Sequence, residues 1–401
     1  MKILLANITT MVGVIGGVEK VFSNMANEFI KRGYEVSVVF SDNKEGKPYF
    51  ELDERVQCYN LKHLVIDGEK YDIPDKKFPL SSKILREIIR PFNKNYAREM
   101  KENFLGNLIA DNLKRVLDKE KPDLIISHRA LTTKYLMVDA KTNIPVVSMF
   151  HDDPEVTLST ATVQVKSSIE KCIENIILLP YGINVFKKYC PNANVTIIPN
   201  TVKQFDSIID YNIKNTYKII YISRISKTEK QQHILIEAFK LLYKDFSNWK
   251  IEFWGPFSDK KYADKLKQLI FKYKLCDKVK LCGATNDVES VMRNADIFCF
   301  TSIHEGFSIA LTEAMSIGLP VIGIEECLAA NDLIEDKKTG LLCHNNPKDI
   351  ANKLQMLMSN IELRRKLGIS AHAAMTKYED KKIWDKWESI VKQILKEHKD
   401  V

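Results

Sequence analysis

Residues 2–40 read KILLANITTMVGVIGGVEKVFSNMANEFIKRGYEVSVVF. The apolar run from Lys2 to Asn7 predicts a strand, and a loop containing three glycines follows it. The pattern from Val18 to Arg32 is helical, and the run from Glu35 to Phe40 is typical of a second strand. A strand, a helix and a strand in this order form a βαβ unit, so this stretch predicts a parallel sheet.

The alternation of strands and helices continues along the chain in two series. Short apolar runs separated by helical patterns extend to about residue 200, and a polar linker then leads to a second series that begins at Tyr217. We therefore predict an α/β protein with two doubly wound, Rossmann-like domains, 1–199 and 200–379. A last helix at 380–401 is predicted to pack back on the first domain. Because such sheets bind ligands at the carboxyl ends of their strands, we expect a deep interdomain cleft to hold the ligand.

The composition limits the class of protein. With 45% apolar residues in 401, the chain can bury a sizeable core. Its net charge of +8 suits an anionic partner such as a nucleotide phosphate, an acidic lipid or a nucleic acid, without choosing among them. The eight cysteines form no C-x-x-C pair, so we expect reduced thiols and a cytoplasmic protein. Polar residues interrupt the apolar start, which disfavours a signal peptide, and no apolar run is long enough to predict a membrane span.

Two carboxylates lie eight positions apart in the second domain. The stretch 304–320 reads HEGFSIALTEAMSIGLP and contains Glu305 and Glu313. Glu305 follows an apolar run in a loop, and Glu313 lies about a turn and a half into a helix that Ser308 can cap. The first turn of such a helix offers unpaired backbone amides to a phosphate. This layout predicts a clamp for a sugar nucleotide.

A cationic loop follows the first strand of the second domain. Residues 221–230 read YISRISKTEK and include Arg224, Lys227 and Lys230. An arginine donates a planar pair of hydrogen bonds and a lysine supplies a compact charge, and together they suit a diphosphate. The alternative is a solvated charge run before a helix, and the acidic pair in the same domain favours the phosphate site.

With these motifs in this order, the chain resembles the retaining GT-B glycosyltransferases of family 4, also called glycosyl transferases group 1, which use nucleotide-diphospho-sugars. The similarity covers nearly the whole chain and is weakest between residues 50 and 121. The segments that carry it are Gly16-Gly17-Val18-Glu19, the loop from Arg224 to Lys230, the acidic stretch from Glu305 to Glu313, and NDLIEDKKTG at 331–340. The paired acids are the specific signal, whereas the glycine loop alone is weak.

The resemblance implies a donor-binding role for the second domain. Arg224 and Lys230 would neutralise the leaving diphosphate, which is the main catalytic contribution because charge grows on the bridging oxygen. Glu305 would bind a hydroxyl of the transferred sugar, and Glu313 would bind the ribose. The amides facing sugar and phosphate would be those of Gly306, Phe307 and Ser308. The resemblance implies no cofactor besides the nucleotide-sugar donor, and no metal.

The first domain would bind the acceptor. His151 matches a histidine that the family places at the ligand, although a lone histidine at a strand end is often structural. Gly16 and Gly17 would let the backbone approach phosphate or sugar closely, and a turn that needs positive φ is equally compatible with them. No Asp-x-Asp motif occurs at a cleft position, and the nearest pair, Asp152-Asp153, is more typical of a loop or helix cap.

The sequence departs from the family pattern around the cationic loop. Gln231 stands where the family has a glycine, and one extra residue between Arg224 and Lys230 leaves open whether Lys227 or Lys230 meets phosphate. Trp254-Gly255-Pro256 replaces a glycine pair, so we expect a bulkier loop on the nucleobase side. Asn200-Thr201 replaces Asn-Gly at the linker, which affects the turn more than the chemistry.

A basic amphipathic stretch lies in the first domain. From Lys76 to Lys101 it has eight Lys or Arg against two Glu, interleaved with apolar residues and broken at Pro91. Such a surface suits a lipid-linked acceptor at an anionic membrane. An ordinary solvated helix that packs by its apolar side is the alternative, and the sequence does not separate the two.

The function that these observations favour is a retaining glycosyltransferase that moves a hexose or N-acetylhexosamine from a UDP-sugar to a glycan or lipid-linked acceptor in surface polysaccharide or glycolipid synthesis. We expect it in the cytoplasm, either free or peripheral at the inner face of the cell membrane, with no nucleic-acid partner. A non-catalytic GT-B subunit and a sugar-nucleotide epimerase of the same fold are the alternatives. A dinucleotide oxidoreductase, with Asp42 as the ribose acid, is disfavoured because the glycines do not follow G-x-G-x-x-G directly after the strand.

Overall fold

A computed structural model describes residues 1–397. The chain divides into two compact units. Unit 1 comprises Met1–Ile198 and the chain from Trp387 onward, and unit 2 comprises Pro199–Lys386. Of the predicted last helix, residues 398–401 lie outside the described residues.

Unit 1 is built on a parallel sheet. Its strands are β1 (Lys2–Asn7), β2 (Glu35–Phe40), β3 (Gln57–Asn60), β4 (His63–Ile66), β5 (Glu69–Asp72), β6 (Leu124–Ser127), β7 (Val146–Phe150), β8 (Glu174–Ile177) and β9 (Val195–Ile197). Strands β4 and β5 form a separate antiparallel hairpin, and the others pair in the order β3-β2-β1-β6-β7-β8-β9. Residues 3–6 of β1 are fully buried, as expected for a strand in a sheet covered on both faces.

Helices connect the strands of unit 1. They are α1 (Gly17–Lys31), α2 (Leu80–Ile89), α3 (Lys94–Glu120), α4 (Ala130–Lys134), a π-helical turn (Tyr135–Asp139), α5 (Pro154–Ser159), α6 (Val163–Glu170) and α7 (Tyr181–Tyr189). The break between α2 and α3 contains Pro91, as predicted.

Unit 2 repeats this architecture. Its strands are β10 (Tyr217–Ile222), β11 (Trp249–Trp254), β12 (Val279–Gly283), β13 (Ile297–Cys299), β14 (Val321–Ile324) and β15 (Leu341–Cys343), in the parallel order β12-β11-β10-β13-β14-β15. Its helices are α8 (Gln232–Lys240), α9 (Lys260–Lys272), α10 (Val288–Arg293), α11 (Ile309–Ser316), α12 (Leu328–Leu333), α13 (Pro347–Ser359) and α14 (Ile361–Met375), followed by a 3-10 turn (Thr376–Tyr378). The predicted class, an α/β chain with two Rossmann-like sheets, is confirmed.

The last helix, α15 (Asp380–Glu397), begins in unit 2, and its residues from Trp387 onward belong to unit 1. Within unit 1 the Trp387 ring meets Phe29 of α1 edge to face at 6.4 Å, and Arg32 donates to Glu388 at 2.6 Å. Trp387 is almost fully buried, so the apolar face recognised in the sequence is a core face.

Both sheets reverse their strand order beside their first strand. The switch point lies between β1 and β6 in unit 1, and between β10 and β13 in unit 2. Loops at the carboxyl ends of these strands are where doubly wound sheets bind ligands. The candidate site residues of each unit are therefore expected at these two edges.

Several short strands are not predicted from the sequence. The sequence does not predict β14 and β15, each only three or four residues long, nor does it predict β3 or the β4–β5 hairpin. All eight cysteines are unpaired. Within residues 1–397 no helix is long and apolar enough to cross a membrane.

Candidate active-site residues at the strand ends

The loop after β10 carries Arg224 and is held by the end of β11. The Ser223 amide donates to the Trp254 carbonyl at 2.8 Å, and the Ile225 amide donates to the Pro256 carbonyl at 2.9 Å. The two loops therefore run side by side at the carboxyl edge of the sheet, with Arg224 between the two hydrogen bonds.

Gly255 makes this close approach possible. Its φ is +141°, and a Cβ on it would lie far inside van der Waals distance of the Ser223 carbonyl oxygen and 3.1 Å from the Arg224 amide nitrogen. No side chain fits there without moving backbone, so the glycine in the Trp254-Gly255-Pro256 loop is a steric requirement.

Lys230 ends the cationic loop directly before α8. Gln231, in the position where the family has a glycine, has φ +49°, which is left-handed. The Thr301 hydroxyl donates to the Lys230 carbonyl at 2.9 Å, and the buried Gln232 amide donates to the Arg224 carbonyl at 2.9 Å. Contacts from Thr301, after β13, and from Gln232, at the start of α8, therefore hold this loop in place.

Glu305 lies beside Lys230. The Lys230 ammonium donates to Glu305 Oε1, and the Ser302 hydroxyl donates to the same oxygen at 2.7 Å. The two charged side chains are only 12% and 16% exposed, so this pair is poorly screened by solvent. The structure therefore brings the cationic loop and the first acid of the acidic stretch together.

The acidic stretch then enters α11 as the sequence predicts. Ser308 is its N-cap and accepts from the Leu311 amide at 3.4 Å. Gly306 and Phe307 are buried, and the Phe307 ring packs edge to face on Tyr378 at 5.3 Å, so the ring belongs to the core of unit 2. Glu313 lies half-buried in the second turn of α11.

Arg224 is the exposed member of the unit 2 site. Its guanidinium pairs with Glu229, and the two side chains are 54% and 38% exposed. Ion pairs of this kind contribute about 0–1 kcal/mol and exchange partners readily. Lys227 lies exposed on the same loop, whereas Lys230 makes the contact to Glu305.

In unit 1 the glycine loop leads from β1 into α1. Gly16 is extended and is the N-cap of α1, which begins at Gly17, and a Cβ on Gly16 would collide with the Glu19 carboxylate. Gly13 is the glycine of this loop with positive φ, at +72°. Neither Gly16 nor Gly17 has positive φ, so the turn interpretation does not hold for these two glycines. The close approach of a ligand to their backbone stays a prediction.

Asp42, the acid that an oxidoreductase would use for ribose, serves the same loop. Its Oδ2 accepts from the Met11 amide at 2.8 Å and the Val12 amide at 2.9 Å, and its Oδ1 accepts from the Lys44 amide at 3.0 Å. Although burial opposes ionisation, these amide hydrogen bonds lower the pKa of Asp42 below its usual value. The Asp42 carboxylate therefore stabilises the loop between β1 and α1.

His151 follows β7 at the carboxyl edge and stacks on His128, which follows β6. The ring centroids are 4.9 Å apart, and His128 Nδ1 and His151 Nε2 share a hydrogen bond of 2.8 Å. Burial, and to a lesser extent the neighbouring Arg129 guanidinium, lowers the pKa of His151 to about 3. Burial, followed by His151 and Arg129, lowers the pKa of the fully buried His128 as well, so both rings are neutral at physiological pH.

Arg129 lies at the same edge and contacts three other segments of unit 1. The sequence predicts neither Arg129 nor His128 as a site residue. The Arg129 guanidinium donates to Asn7 at 3.2 Å, to Asp152 at 3.1 Å and to the buried Glu19 at 3.4 Å. The partners come from β1, the loop after β7, and α1, so this one cation ties the strand ends to the glycine loop. The available signal was the Ser-His-Arg sequence that directly follows a buried strand.

The pair Asp152-Asp153 behaves as its structural interpretation predicts. Asp153 caps α5 by accepting from the Glu155 amide at 2.9 Å, and Asp152 pairs with Arg129. Across residues 1–397, no group of three or more His, Cys, Asp or Glu side chains is placed to hold a metal ion.

Comparison with known families agrees with the fold. Residues 15–203 match Glycosyltransferase Family 4, and residues 204–373 match Glycosyl transferases group 1. With two Rossmann-like sheets and these two consecutive matches, the chain belongs to the GT-B glycosyltransferases. This membership supports transferase activity.

Individual relatives span the chain. It is 25% identical over 389 residues to an uncharacterized glycosyltransferase of Haemophilus influenzae, which covers 95% of this chain and 97% of that protein. It is also 25% identical to the poly(ribitol-phosphate) alpha-N-acetylglucosaminyltransferase of Staphylococcus aureus, over 90% of this chain and 74% of that protein.

Solved structures share the fold at low identity. The sucrose-phosphate synthase of Thermosynechococcus elongatus superposes with a TM-score of 0.76 at 15% identity over 98% of both chains. Anabaena HepE in complex with UDP and glucose gives 0.70 at 17% identity over 98% of this chain and 100% of that chain. At these identities the likeness establishes the architecture alone.

Proposed function

We propose that this protein is a retaining, family 4 glycosyltransferase that moves a hexose or N-acetylhexosamine from a UDP-sugar to a glycan or lipid-linked acceptor. The observation that carries the proposal is the contact between Lys230 and Glu305, with Arg224 on the same loop, at the switch point of unit 2. A sugar diphosphate presents its charge and its hydroxyls next to each other, and this edge offers cations and a carboxylate in the same arrangement.

The two cations have different tasks in this proposal. The Lys230 ammonium has three donors, so it holds Glu305 and still reaches a phosphate oxygen. Arg224 leaves its exposed partner Glu229 and donates two parallel hydrogen bonds to the diphosphate. As the glycosidic bond breaks, charge grows on the bridging oxygen, and these two cations stabilise it without a metal ion.

The acids and the helix orient the donor. Glu305 accepts from a hydroxyl of the transferred sugar, and Glu313 in the second turn of α11 accepts from the ribose. The amides of Gly306, Phe307 and Ser308 lead into the N-terminus of α11, whose dipole and unpaired amides favour a phosphate.

Retention follows from attack on the same face of the sugar that the phosphate leaves. The leaving phosphate takes the proton of the acceptor hydroxyl, so the reaction does not need a carboxylate nucleophile. His151 is neutral, so it offers the acceptor side a hydrogen-bonding imidazole rather than a charge. Gly16 and Gly17 would admit a ligand close to the backbone in unit 1.

The relatives support the choice of donor and acceptor. The S. aureus relative is named an N-acetylglucosaminyltransferase that acts on poly(ribitol-phosphate), and HepE was solved with UDP and glucose. We therefore place the chain in surface polysaccharide or glycolipid synthesis, acting in the cytoplasm and peripheral to the membrane.

Donor hydrolysis over a panel of UDP-, GDP- and ADP-sugars, with and without EDTA, tests the proposal. We expect turnover of a UDP-hexose or UDP-N-acetylhexosamine that EDTA leaves unchanged, and an α-linked product from an α-linked donor by NMR. Full dependence on a divalent metal would overturn the metal-free mechanism. Epimerised UDP-sugar without transfer would favour an epimerase, and no turnover with any donor and acceptor would favour a non-catalytic subunit.

A further inference from the structure

Helix α2 carries its apolar side outward. None of its residues is buried, and the ones turned toward the protein are the half-buried Ser82, Arg86 and Ile89. On the other side Leu80, Ile84 and Ile88 recur every four residues and form an exposed stripe. An ordinary surface helix has the opposite orientation, so the solvated-helix interpretation of this stretch does not hold for α2.

The exposed stripe continues past the end of α2. Leu85 lies next to it, and Phe92 in the α2–α3 connection is 89% exposed. We call Leu80, Ile84, Leu85, Ile88 and Phe92 the α2 face.

The orientation of α2 is set by contacts on its inner side. Phe78 packs edge to face on Phe104 of α3 at 5.4 Å, and the Arg86 guanidinium lies 5.7 Å from the centre of the Phe78 ring. Through Arg86 these contacts hold the half-buried side of α2 next to α3, so the outward position of the apolar stripe follows from packing.

Cations surround the α2 face. The exposed ones are Lys76, Lys77, Lys83, Arg90 and Lys94. The acid within α2, Glu87, is already paired with Arg86 at 2.6 Å and Arg90 at 3.3 Å. The rim of the face is therefore positive.

We infer that the α2 face inserts into the interfacial region of a lipid bilayer that contains anionic lipids. Apolar side chains on one side of a helix, flanked by lysine and arginine, are held at such a surface both by burial of the apolar groups and by attraction to the headgroups. A second copy of the chain is a poorer occupant, because a twofold contact would bring the positive rim against itself. The inference rests on the peripheral location given in the proposed function and assigns it to one surface, whereas its test does not depend on catalytic activity.

Vesicle flotation of the purified full chain tests the inference. We expect the protein to float with vesicles of phosphatidylglycerol and phosphatidylcholine, to bind far less to phosphatidylcholine alone, and to lose binding as salt rises. Ile84→Glu/Ile88→Glu is expected to lower partitioning at least about tenfold. Phe271→Glu, which changes a 76% exposed ring on α9, is the matched control and is expected to bind as the wild type does.

A second pair of variants separates charge from apolar burial. Lys83→Gln/Arg90→Gln is expected to lower partitioning onto anionic vesicles about tenfold, whereas Lys261→Gln/Lys265→Gln, two exposed cations of α9, leaves it unchanged. None of these residues belongs to the proposed donor or acceptor site, so donor hydrolysis in solution should be unaffected in all four variants.

Four results would overturn the inference. The first is wild-type protein that does not bind anionic vesicles, and the second is equal loss of binding in the α9 controls. The third is a wild-type dimer by light scattering that Ile84→Glu/Ile88→Glu converts to monomer, which would assign the face to a second copy. Binding to isolated membranes that trypsin abolishes, without binding to lipid vesicles, would assign it to a protein partner and also contradict the inference.

Discussion

His128 and His151 form a stacked, hydrogen-bonded pair at the carboxyl edge of the unit 1 sheet, with 2.8 Å between Nδ1 of His128 and Nε2 of His151. The rings come from the ends of neighbouring strands β6 and β7, so the sheet register sets their separation. One ring must donate and the other accept, which two protonated imidazoles cannot do. The geometry therefore requires at least one neutral ring, in agreement with the lowered pKa of each.

The histidine pair predicts a loss of stability on acidification. Because each folded-state pKa lies below the unfolded value of about 6.5, the stabilisation is fully present above pH 6.5. It is lost progressively as the pH falls from that value toward the folded-state pKa, which is about 3 for His151. His128→Asn keeps an amide near Nδ1 and cannot be protonated. Between pH 7.5 and 5.5 its free energy of unfolding should fall by about 1 kcal/mol less than that of the wild type, measured by urea unfolding.

The control for this prediction is the exposed His344. The His344 imidazole lies beside Glu325, so His344→Gln should not reduce the loss of stability on acidification. An unchanged pH dependence in His128→Asn would mean that the pair does not bind fewer protons when folded.

The ion pair between Lys230 and Glu305 predicts unequal effects for the two loop lysines. We expect Lys230→Ala to lower kcat/KM for the donor about 10²- to 10³-fold, because one preorganised charge at the leaving group is removed. Glu305→Gln should fall into the same range. Lys227→Ala, on the exposed part of the loop, is expected to change kcat/KM less than about threefold. A larger effect at Lys227 than at Lys230 would reverse the assignment of the phosphate lysine.

Glu229 competes with the donor for Arg224. In Glu229→Gln the Arg224 guanidinium loses this charged partner and is available to the donor. The KM for the donor should therefore fall about two- to threefold with kcat unchanged. That change corresponds to about 0.5 kcal/mol, the value expected of a surface ion pair. Steady-state kinetics at low salt measures the change. The same removal of an exposed ion pair on α9, Asp264→Asn, should leave KM unaltered. A rise in KM in Glu229→Gln would show that this pair positions Arg224 for the donor.

Gly255 and Gly283 provide a matched comparison of two glycines with positive φ. Gly255→Ala would push the Ser223 carbonyl and should lower the free energy of unfolding by roughly 3 kcal/mol. Gly283, at φ +81°, has no heavy atom within 4 Å of an added Cβ, so Gly283→Ala should cost only about 1 kcal/mol. Urea unfolding of both variants measures the difference. Equal losses would mean that the loop after β10 shifts easily, and that Arg224 is not held by this contact.

Much of the candidate site is accessible from sequence because its signals are local. The periodicity of residues 2–40 specifies a strand, a helix and a parallel strand, and Ser308 caps α11 where the pattern predicts. Gln231 shows the limit of this approach. It departs from the family glycine, yet its backbone keeps the left-handed conformation that explains the glycine. Only the neighbouring contacts of Lys230 and Gln232 show that this conformation is held by the fold.

Arg129 and the α2 face depend on packing that a single sequence does not encode locally. Arg129 donates hydrogen bonds to Asn7, Glu19 and Asp152, which lie 122, 110 and 23 positions away in the sequence. These residues come together only because the strand order places the ends of β1 and β7 beside the end of β6. In α2 the periodicity reveals an amphipathic helix but not which side faces the protein. Burial of one side is decided by the neighbouring α3, because a helix buries whichever side finds a partner surface. Local periodicity and capping thus establish most of the long elements and the fold class of this chain, whereas long-range packing selects which side chains meet and which remain exposed.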